Sequence, residues 1–382
     1  MFVAMTVVAL INLRYVRRLP TLSALPANRR AEESTSGGDT GGAAVRCSVV
    51  VAARDEAARI EETVRRILAQ QGVSIEAIVI DDRSADETKE ILQRLASADS
   101  RVRTVRVETL PEGWLGKCHA CHVGASVATG EWILFIDADC WLMPDVLARA
   151  LCVAASEGVD HITLTPGVVP QTCGARAWHL ALLTRLASRV AGVNRDHPRA
   201  HLGLGAFNLV RAAAYMDCGG YEALRLTVLD DVTLGLLLHR AGRRTRAFIG
   251  AVDAECHWGT TVRGMIKIME KNYFAAAKFR VGPVVAMGLF TALLFGTALA
   301  GPWVGTPDGV AAAVALWTLA LPAAILARRL GWSSRCAALA PLLYPVLVYA
   351  VINSAVVTLR QGGVRWRDTF YPLDILRNGM VE

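Results

Sequence analysis

The sequence predicts an α/β domain, a mainly parallel Rossmann-like sheet wound with helices, joined to transmembrane helices. Three observations carry this. Between residues 46 and 139, strand-like apolar runs alternate with helix-periodic segments at the spacing of βαβ units. After about residue 280 the chain turns hydrophobic in three long stretches. The composition is 53% hydrophobic and 20% charged with a mean hydropathy of +0.36, too apolar for an ordinary soluble protein and too charged for a pure membrane bundle.

The first element is the apolar run at 2–13, which ends in RYVRR. It is short, as in a secretory signal, but no small-residue cleavage site follows, so we read residues 1–18 as an N-terminal membrane anchor. Residues 19–45, rich in Pro, Ser, Gly, Thr and Ala, read as a flexible linker. CSVVVAA at 47–53 is a buried-strand run, and from Asp55 to Gln71 the apolar positions Ile60, Val64, Ile67 and Leu68 share a helical face. AIVIDD is a second strand and 86–97 a second helix. RVRTVRV alternates as a strand, 117–129 reads as a helix, and EWILFIDAD is a strand ending in acids. Ligands bind such sheets beyond the carboxyl ends of their strands, where both acid clusters fall.

We place the catalytic domain at 46–260, an interfacial amphipathic helix at 261–280, transmembrane helices over 281–360, and an interfacial tail at 361–382. Residues 281–304, 309–327 and 337–359 are each long enough, or nearly so, to cross ~30 Å of hydrocarbon. The tail mixes Trp, Tyr and Phe with Arg, which suits a membrane surface. The net charge is +7, and the arginines cluster beside apolar segments (Arg14, Arg17, Arg18; Arg328, Arg329, Arg335; Arg360, Arg365, Arg367). That placement fits anionic lipid head groups and not nucleic acid. Counting spans puts the 328–336 loop on the inner side and the arginine-bearing tail on the outer. A re-entrant segment, a first segment that does not span, or an exceptional tail would each reconcile this. The nine cysteines form no small-domain framework and read as reduced, buried thiols.

Three acid pairs carry the chemistry. In Asp137-Ala138-Asp139, just past a buried strand, the two carboxylates can converge on one hard cation, which would keep both ionised despite their repulsion. Ala138 between them has no ligand atom in its side chain and is assigned no role in binding. Asp81 and Asp82 end the second strand and can accept hydrogen bonds from a base N–H or a ribose hydroxyl, whereas Ser84 and Asp86 read as helix-capping residues. Asp230 and Asp231 open a helix. There they either complement its dipole or supply a general base for a hydroxyl nucleophile. CHACH at 118–122 has the spacing of a haem attachment site and four potential zinc donors, but no second ligand cluster accompanies it.

Taken in order, these motifs resemble those of the family 2 inverting glycosyltransferases of GT-A fold. SVVVAARDEA is similar to the family's opening strand and nucleotide loop, AIVIDDRSADET to its second nucleotide motif, FIDADC to its metal-binding DxD, and LDDVTLG to the later acidic motif. LPEGWLGKCHA and GGVRWRDTFYPL resemble the membrane-bound, lipid-modifying branch near the hopanoid-associated and carotenoid glycosyltransferases, and more distantly ceramide glucosyltransferases. The resemblance implies a nucleotide-sugar donor, expected to be UDP-linked, Mg²⁺ or Mn²⁺, a lipid acceptor, and a multi-pass protein of the plasma membrane with its catalytic domain cytoplasmic. It further implies that Ala52, Arg54 and Glu56 line the nucleotide loop, that Asp82 and Asp81 face base or ribose, and that Lys117 approaches the donor phosphates. Asp137 would contact the nucleotide and Asp139 the metal, with His257, followed by Trp258, as a further ligand. Asp231 would be the base, with Asp230 where the family usually has Glu. Gly205, Phe207 and Asn208 would floor the acceptor site.

One departure matters. Processive synthases and several lipid-glucosylating relatives carry Q/R-x-x-R-W after the base, and the stretch at 257–280 lacks it. This argues against a processive polysaccharide synthase, the first alternative. It leaves open which cation holds the diphosphate; Arg263, Lys267 and Lys271 are candidates. A transporter or non-catalytic scaffold is the alternative of another class, and the apolar stretches lack the charges transport would need.

Overall fold

The computed structural model describes residues 1–24, 45–169, 172–257 and 259–381. Most of the expected linker, and Trp258, therefore lie outside the described residues. The main sheet has nine strands: β1 (Arg17–Arg18), β2 (Arg46–Ala53), β3 (Ser74–Asp82), β4 (Val102–Val107), β5 (Trp132–Asp137), β6 (Cys140–Leu142), β7 (His161–Val168), β8 (Asn208–Arg211) and β9 (Thr245–Cys256). Their order is β1-β9-β7-β8-β5-β2-β3-β4, with β6 pairing β9.

The expected alternation forms the parallel block β5-β2-β3-β4. Its strands read as continuous Val/Ile/Leu runs because helices cover both faces. Val49, Val50, Val51, Ile78, Val79, Ile80 and Leu134 are fully buried. The helices are shorter than their apolar periodicity suggests. Ile60–Leu68 buries Ile60, Val64 and Ile67, while residues 55–59 form the turn that leads into it. The sheet is not parallel throughout. β8 runs antiparallel between β5 and β7, and β6 antiparallel to β9. Register then fixes the geometry of the site: Ala52 pairs with Asp137 across β2/β5, and Ala53 with Asp81 across β2/β3. Both acid-bearing strand ends, of β3 and β5, thus open on one edge beside the end of β2.

Two cysteines depart from the reading of reduced thiols. Cys140 and Cys256 face each other in the β6/β9 register with Cα atoms 4.4 Å apart and form a disulfide. A sequence separation of 116 residues hid this pairing. Cys47, Cys118, Cys121, Cys152 and Cys336 are buried thiols outside that disulfide, as expected, whereas Cys218 is half-buried and Cys173 exposed.

Among the described residues, three helical stretches are long and apolar enough to cross a membrane: Val281–Val304, Pro307–Arg329 and Ser334–Gln361. The N-terminal helix Phe2–Leu13 is not a lone anchor. Its Phe2 ring packs on Phe295 at 5.1 Å, Thr6 and Thr318 hydroxyls are 2.8 Å apart, and Asn12 donates to Ser188 at 2.9 Å. Ser188 belongs to the 22-residue helix Cys173–Asn194, which lies within the catalytic stretch yet shares a hydrophobic cluster with the apolar helices. The boundary near 260 is therefore a packed seam. The expected amphipathic helix at 261–280 is two short helices, Val262–Met269 and Tyr273–Ala276. The tail folds into a hairpin, β10 (Gly363–Trp366) with β11 (Thr369–Pro372), followed by the helix Leu373–Asn378.

Candidate active site

The strand ends open into a cavity of about 960 Å³. From the nucleotide loop it is lined by Ala52, Arg54 and Glu56, from β3 by Asp82, from the helix Gly116–Ser126 by Lys117, and past β5 by Asp137 and Asp139. Ala138, between the two acids, also lines the cavity; its side chain is buried and its carbonyl accepts from Thr63 Oγ1 at 2.6 Å. That bond ties the acid turn to the helix Ile60–Leu68. Gly205, Asp230 and Asp231 complete the polar wall. A second part of the lining is apolar: Leu182, Leu183 and Leu186 of the helix Cys173–Asn194, with Leu204, Ile268, Met269 and Val357.

The loops are held by local hydrogen bonds. Asp55 stands at φ +54°, its amide donating to Ser84 Oγ (3.0 Å), while its carboxylate accepts from the Ala85 amide (2.8 Å). Asp86 accepts from the Thr88 amide at 3.0 Å, but the N-cap of the helix Thr88–Ala98 is Glu87 and neither Ser84 nor Asp86. Arg54 reaches the tail hairpin at Thr369 and Asp368, both at 3.3 Å, and Arg367 donates to Glu56 at 2.6 Å. Tyr371 Oη accepts from the Gly116 amide at 3.2 Å. The tail is thus a wall of the cavity. A Cβ on Gly116 would collide with Asp82 Oδ2, so only glycine lets this helix start so close to the carboxylate.

Lys117 is the electrostatic hub, with Nζ 2.8 Å from Asp137 Oδ1 and 3.3 Å from Asp230 Oδ2. Burial works to lower its pKa, but the carboxylates of Asp137, Asp230 and Asp231 overcome that and hold it well above the usual lysine value. Burial would raise Asp137, and Lys117 outweighs it, so Asp137 is held below the ordinary carboxylate range. With 40% of its side chain open to the cavity, Asp137 remains accessible to a ligand. Among the described residues Asp139 has no such ion pair: burial first, then repulsion from Asp137 and Glu56, outweigh the attraction of Arg59 and push it up to about 6. Asp231 is likewise raised to about 6, by burial and then Asp230. Its Oδ2 accepts from the Gly205 amide at 2.7 Å, while the Gly205 carbonyl accepts from the Asp137 amide at 2.9 Å. One glycine thus ties residue 231 to residue 137, and a Cβ there would sit 2.6 Å from Asp137 Oδ2. Asp230 accepts from Tyr221 Oη at 3.0 Å and faces Lys117, so it is the braced member of the pair.

Several expected site residues sit elsewhere. Asp81 is buried beneath the cavity, paired with Arg106 and accepting from the Ser84 amide at 3.0 Å; those partners take up its oxygens. Phe207 is fully buried in the core. Asn208 Oδ1 is 2.5 Å from His161 Nε2 inside β8, so of the three acceptor candidates only Gly205 lines the cavity. The His257 amide donates to the Asp139 carbonyl at 3.1 Å, but its ring packs on Trp141, with centroids 3.6 Å apart. Among the described residues, Asp137, Asp139 and His257 do not bring donor atoms within 4.8 Å of one another. The group that does is Asp139, Cys140 and Cys256, whose sulfurs are bonded to each other. In the CHACH segment, Cys118 Sγ donates to the Thr227 carbonyl at 3.4 Å, and His119 and His122 pack on Trp114.

Sequence reasoning missed the hairpin residues Trp366, Arg367 and Tyr371, because nothing local links residue 371 to residue 116. It also missed His179, a buried imidazole that lines the cavity.

An acid-rimmed cleft at the carboxyl edge of such a sheet, under an antiparallel β8, is the architecture of the GT-A class. Residues 48–219 match the family described as Glycosyl transferase family 2. The match covers just under half of the chain. Its likeness extends to 4,4'-diaponeurosporenoate glycosyltransferases. One, from Staphylococcus haemolyticus (strain JCSC1435), is 36% identical over 92 residues, 24% of each chain. Another, from Staphylococcus aureus (strain USA300), is 34% identical over 194 residues, 49% of this chain and 50% of the relative. The matched segments thus span between a quarter and half of those relatives' length. The fold is shared with the mannosyltransferase PcManGT from Pyrobaculum calidifontis, solved in complex with GDP-Man and Mn²⁺. The TM-score is 0.53 at 21% identity, covering 94% of this chain and 99% of that one.

Proposed function

We propose that this chain transfers a single sugar from a nucleotide-diphosphate sugar, UDP-linked in our reading, to a hydroxyl of a membrane lipid, with inversion at the anomeric carbon. The observation that carries this is that one cavity joins Asp82, Asp137, Asp139 and Asp231 to an apolar wall of leucines. The donor lies across the strand ends, with the nucleotide over Ala52, Arg54, Glu56 and Asp82. Asp231 takes the proton of the attacking hydroxyl, and its raised pKa makes it a stronger base than an ordinary carboxylate. Asp230, Tyr221 and Lys117 hold that helix start in place. The leucine wall receives the lipid's apolar portion.

The donors around the acid pair fit Mg²⁺ or Mn²⁺. Asp139 and Asp137 offer only hard oxygen atoms, and like charge around Asp139 outweighs what cationic relief the protein gives it. Bound there, the metal would neutralise charge on the leaving diphosphate. Lipid-modifying relatives and a neighbour holding GDP-Man and Mn²⁺ support the reading. In detergent, the purified chain should release nucleoside diphosphate only when Mn²⁺, a UDP- or GDP-sugar and a lipid extract are all present. The product should carry one sugar. A ladder of sugars would favour a processive synthase, and release without lipid would remove the acceptor assignment.

The membrane reading is ours as well. Val281–Val304 and Pro307–Arg329 cross out and back, since Arg329 ends at the catalytic side, donating to the Leu13 and Val16 carbonyls at 2.7 Å. Val16 leads directly into β1 of the main sheet. Ser334–Gln361 runs antiparallel beside Val281–Val304, with Tyr344 on Phe295 and Ile352 against Gly288, and both of its ends return to the catalytic side. Near its far end Ser354 accepts from the Phe274 amide at 2.9 Å, and beyond it Arg377 donates to the Phe279 carbonyl at 3.0 Å. Every arginine cluster then faces one side, the cytoplasmic one of a plasma membrane, which removes the mismatch in the span count. Topology reporters fused after Gly331 and at the C-terminus should report the same side as one inserted near residue 40. Opposite signals from the first two would show that the third segment spans.

A further inference from the structure

The missing Q/R-x-x-R-W motif leaves the donor diphosphate without an assigned protein cation. Lys117 is already committed, bridging Asp137 and Asp230. Arg263 is exposed and does not line the cavity. Lys267 also lines the cavity, but it pairs with Glu270 at 2.9 Å and keeps 79% of its side chain exposed.

Lys271 is different. It lines the cavity, and its pKa is lowered first by burial and then by Lys117, while Asp137, Asp230 and Asp231 pull the other way. Among the described residues no carboxylate forms an ion pair with it. The adjacent acid, Glu270, is turned away: one oxygen accepts from Asn353 at 3.2 Å and the other from Lys267. The partner Lys271 does have is the Trp366 ring, with Nζ 5.1 Å from its centroid. Both ends of this contact are anchored. The backbone after Lys271 is pinned where Phe274, fully buried, donates its amide to Ser354. Trp366 stands on the hairpin that Arg367, Asp368, Thr369 and Tyr371 tie to the nucleotide loop and to Gly116. A desolvated ammonium without a counter-ion is costly, and the arrangement is relieved by an anion arriving in the cavity.

We infer that Lys271, braced by Trp366, binds the diphosphate of the donor and of the departing nucleotide, filling the place of the absent arginine motif. This rests on the nucleotide-sugar reading above. Asp137 and Asp139 cannot themselves attract a diphosphate, so a fixed cation beside them supplies what the acid pair lacks. The hairpin thereby becomes part of the donor site, since it carries the ring that positions Lys271.

The test is titration of full-length protein in detergent, with Mn²⁺, using UDP, UMP and uridine, and GDP, GMP and guanosine in parallel. Wild type should prefer the diphosphate of one series. Lys271→Ala should weaken that diphosphate by roughly 10- to 100-fold, the range for a lost charge-assisted hydrogen bond, and change the monophosphate less than twofold. Lys271→Arg should recover most of the loss, and Trp366→Ala should reproduce part of it. Retained monophosphate binding shows that each variant is folded. Equal loss for mono- and diphosphate, or no loss for either, overturns the role of Lys271 alone. A wild type that binds no diphosphate better than its monophosphate overturns the nucleotide-sugar reading, and this inference with it.

Discussion

Asp231→Asn should lower the turnover of sugar transfer by roughly 10²- to 10⁴-fold, the usual contribution of a positioned general base, while leaving donor affinity within about twofold. The amide is nearly isosteric and its oxygen can still accept from the Gly205 amide, so the loop that also holds Asp137 stays in place. What is lost is the ability to take a proton. Asp230 cannot stand in, because Tyr221 and Lys117 occupy it. The pH dependence follows with its sign. The base works only when ionised, and burial and Asp230 push Asp231 up to about 6. Turnover in wild type should therefore be flat above that value and fall about tenfold per pH unit below it. The variant's residual rate should lack this acidic limb. A variant with wild-type turnover would remove Asp231 from the mechanism.

Asp139→Ala is the second large effect, and it should act in two directions. Metal-dependent donor binding should be lost, because the cation keeps only Asp137, which is already engaged by Lys117. Without metal, however, the variant should melt at a higher temperature than wild type near pH 7. Asp139 is raised to about 6 by burial, Asp137 and Glu56, so its charged form is disfavoured on folding. The penalty is present above that value, shrinks as pH falls, and vanishes below the carboxyl's unfolded pKa of roughly 4. The two melting curves should thus converge near pH 4. Titration of Mn²⁺ with the donor nucleotide, and thermal melts at both pH values, check the two halves separately. Unchanged metal-dependent binding would move the cation elsewhere.

The parts of this molecule legible in its sequence are those written locally. Val/Ile/Leu runs, those of β3 and β5 ending in acids, gave β2, β3 and β5 to within three residues, and the parallel register then carried Asp82 and Asp137 to one edge without further information. Asp231 was legible as chemistry, but its closeness to Asp137 depends on Gly205, 26 residues earlier in the chain, and on an antiparallel β8 that no local period announces. Asp81 and Asp82 look alike in sequence. Both are held in ion pairs, Asp81 by Arg106 of the neighbouring strand and Asp82 by Arg83, and only Asp82 lines the cavity. The tail reads as membrane-surface chemistry by composition. Its role as a wall comes from contacts across more than 250 residues, such as Tyr371 with Gly116, which composition cannot encode. The disulfide between Cys140 and Cys256 was hidden in the same way.

Mass spectrometry of total lipid from cells expressing the wild-type chain, beside cells expressing Asp231→Asn at equal level, tests most directly whether these gathered acids move a sugar onto a lipid. The account predicts a lipid species heavier by one glycosyl unit in the first cells and its absence in the second. Identical lipid profiles, with both proteins folded in the membrane fraction, would contradict it.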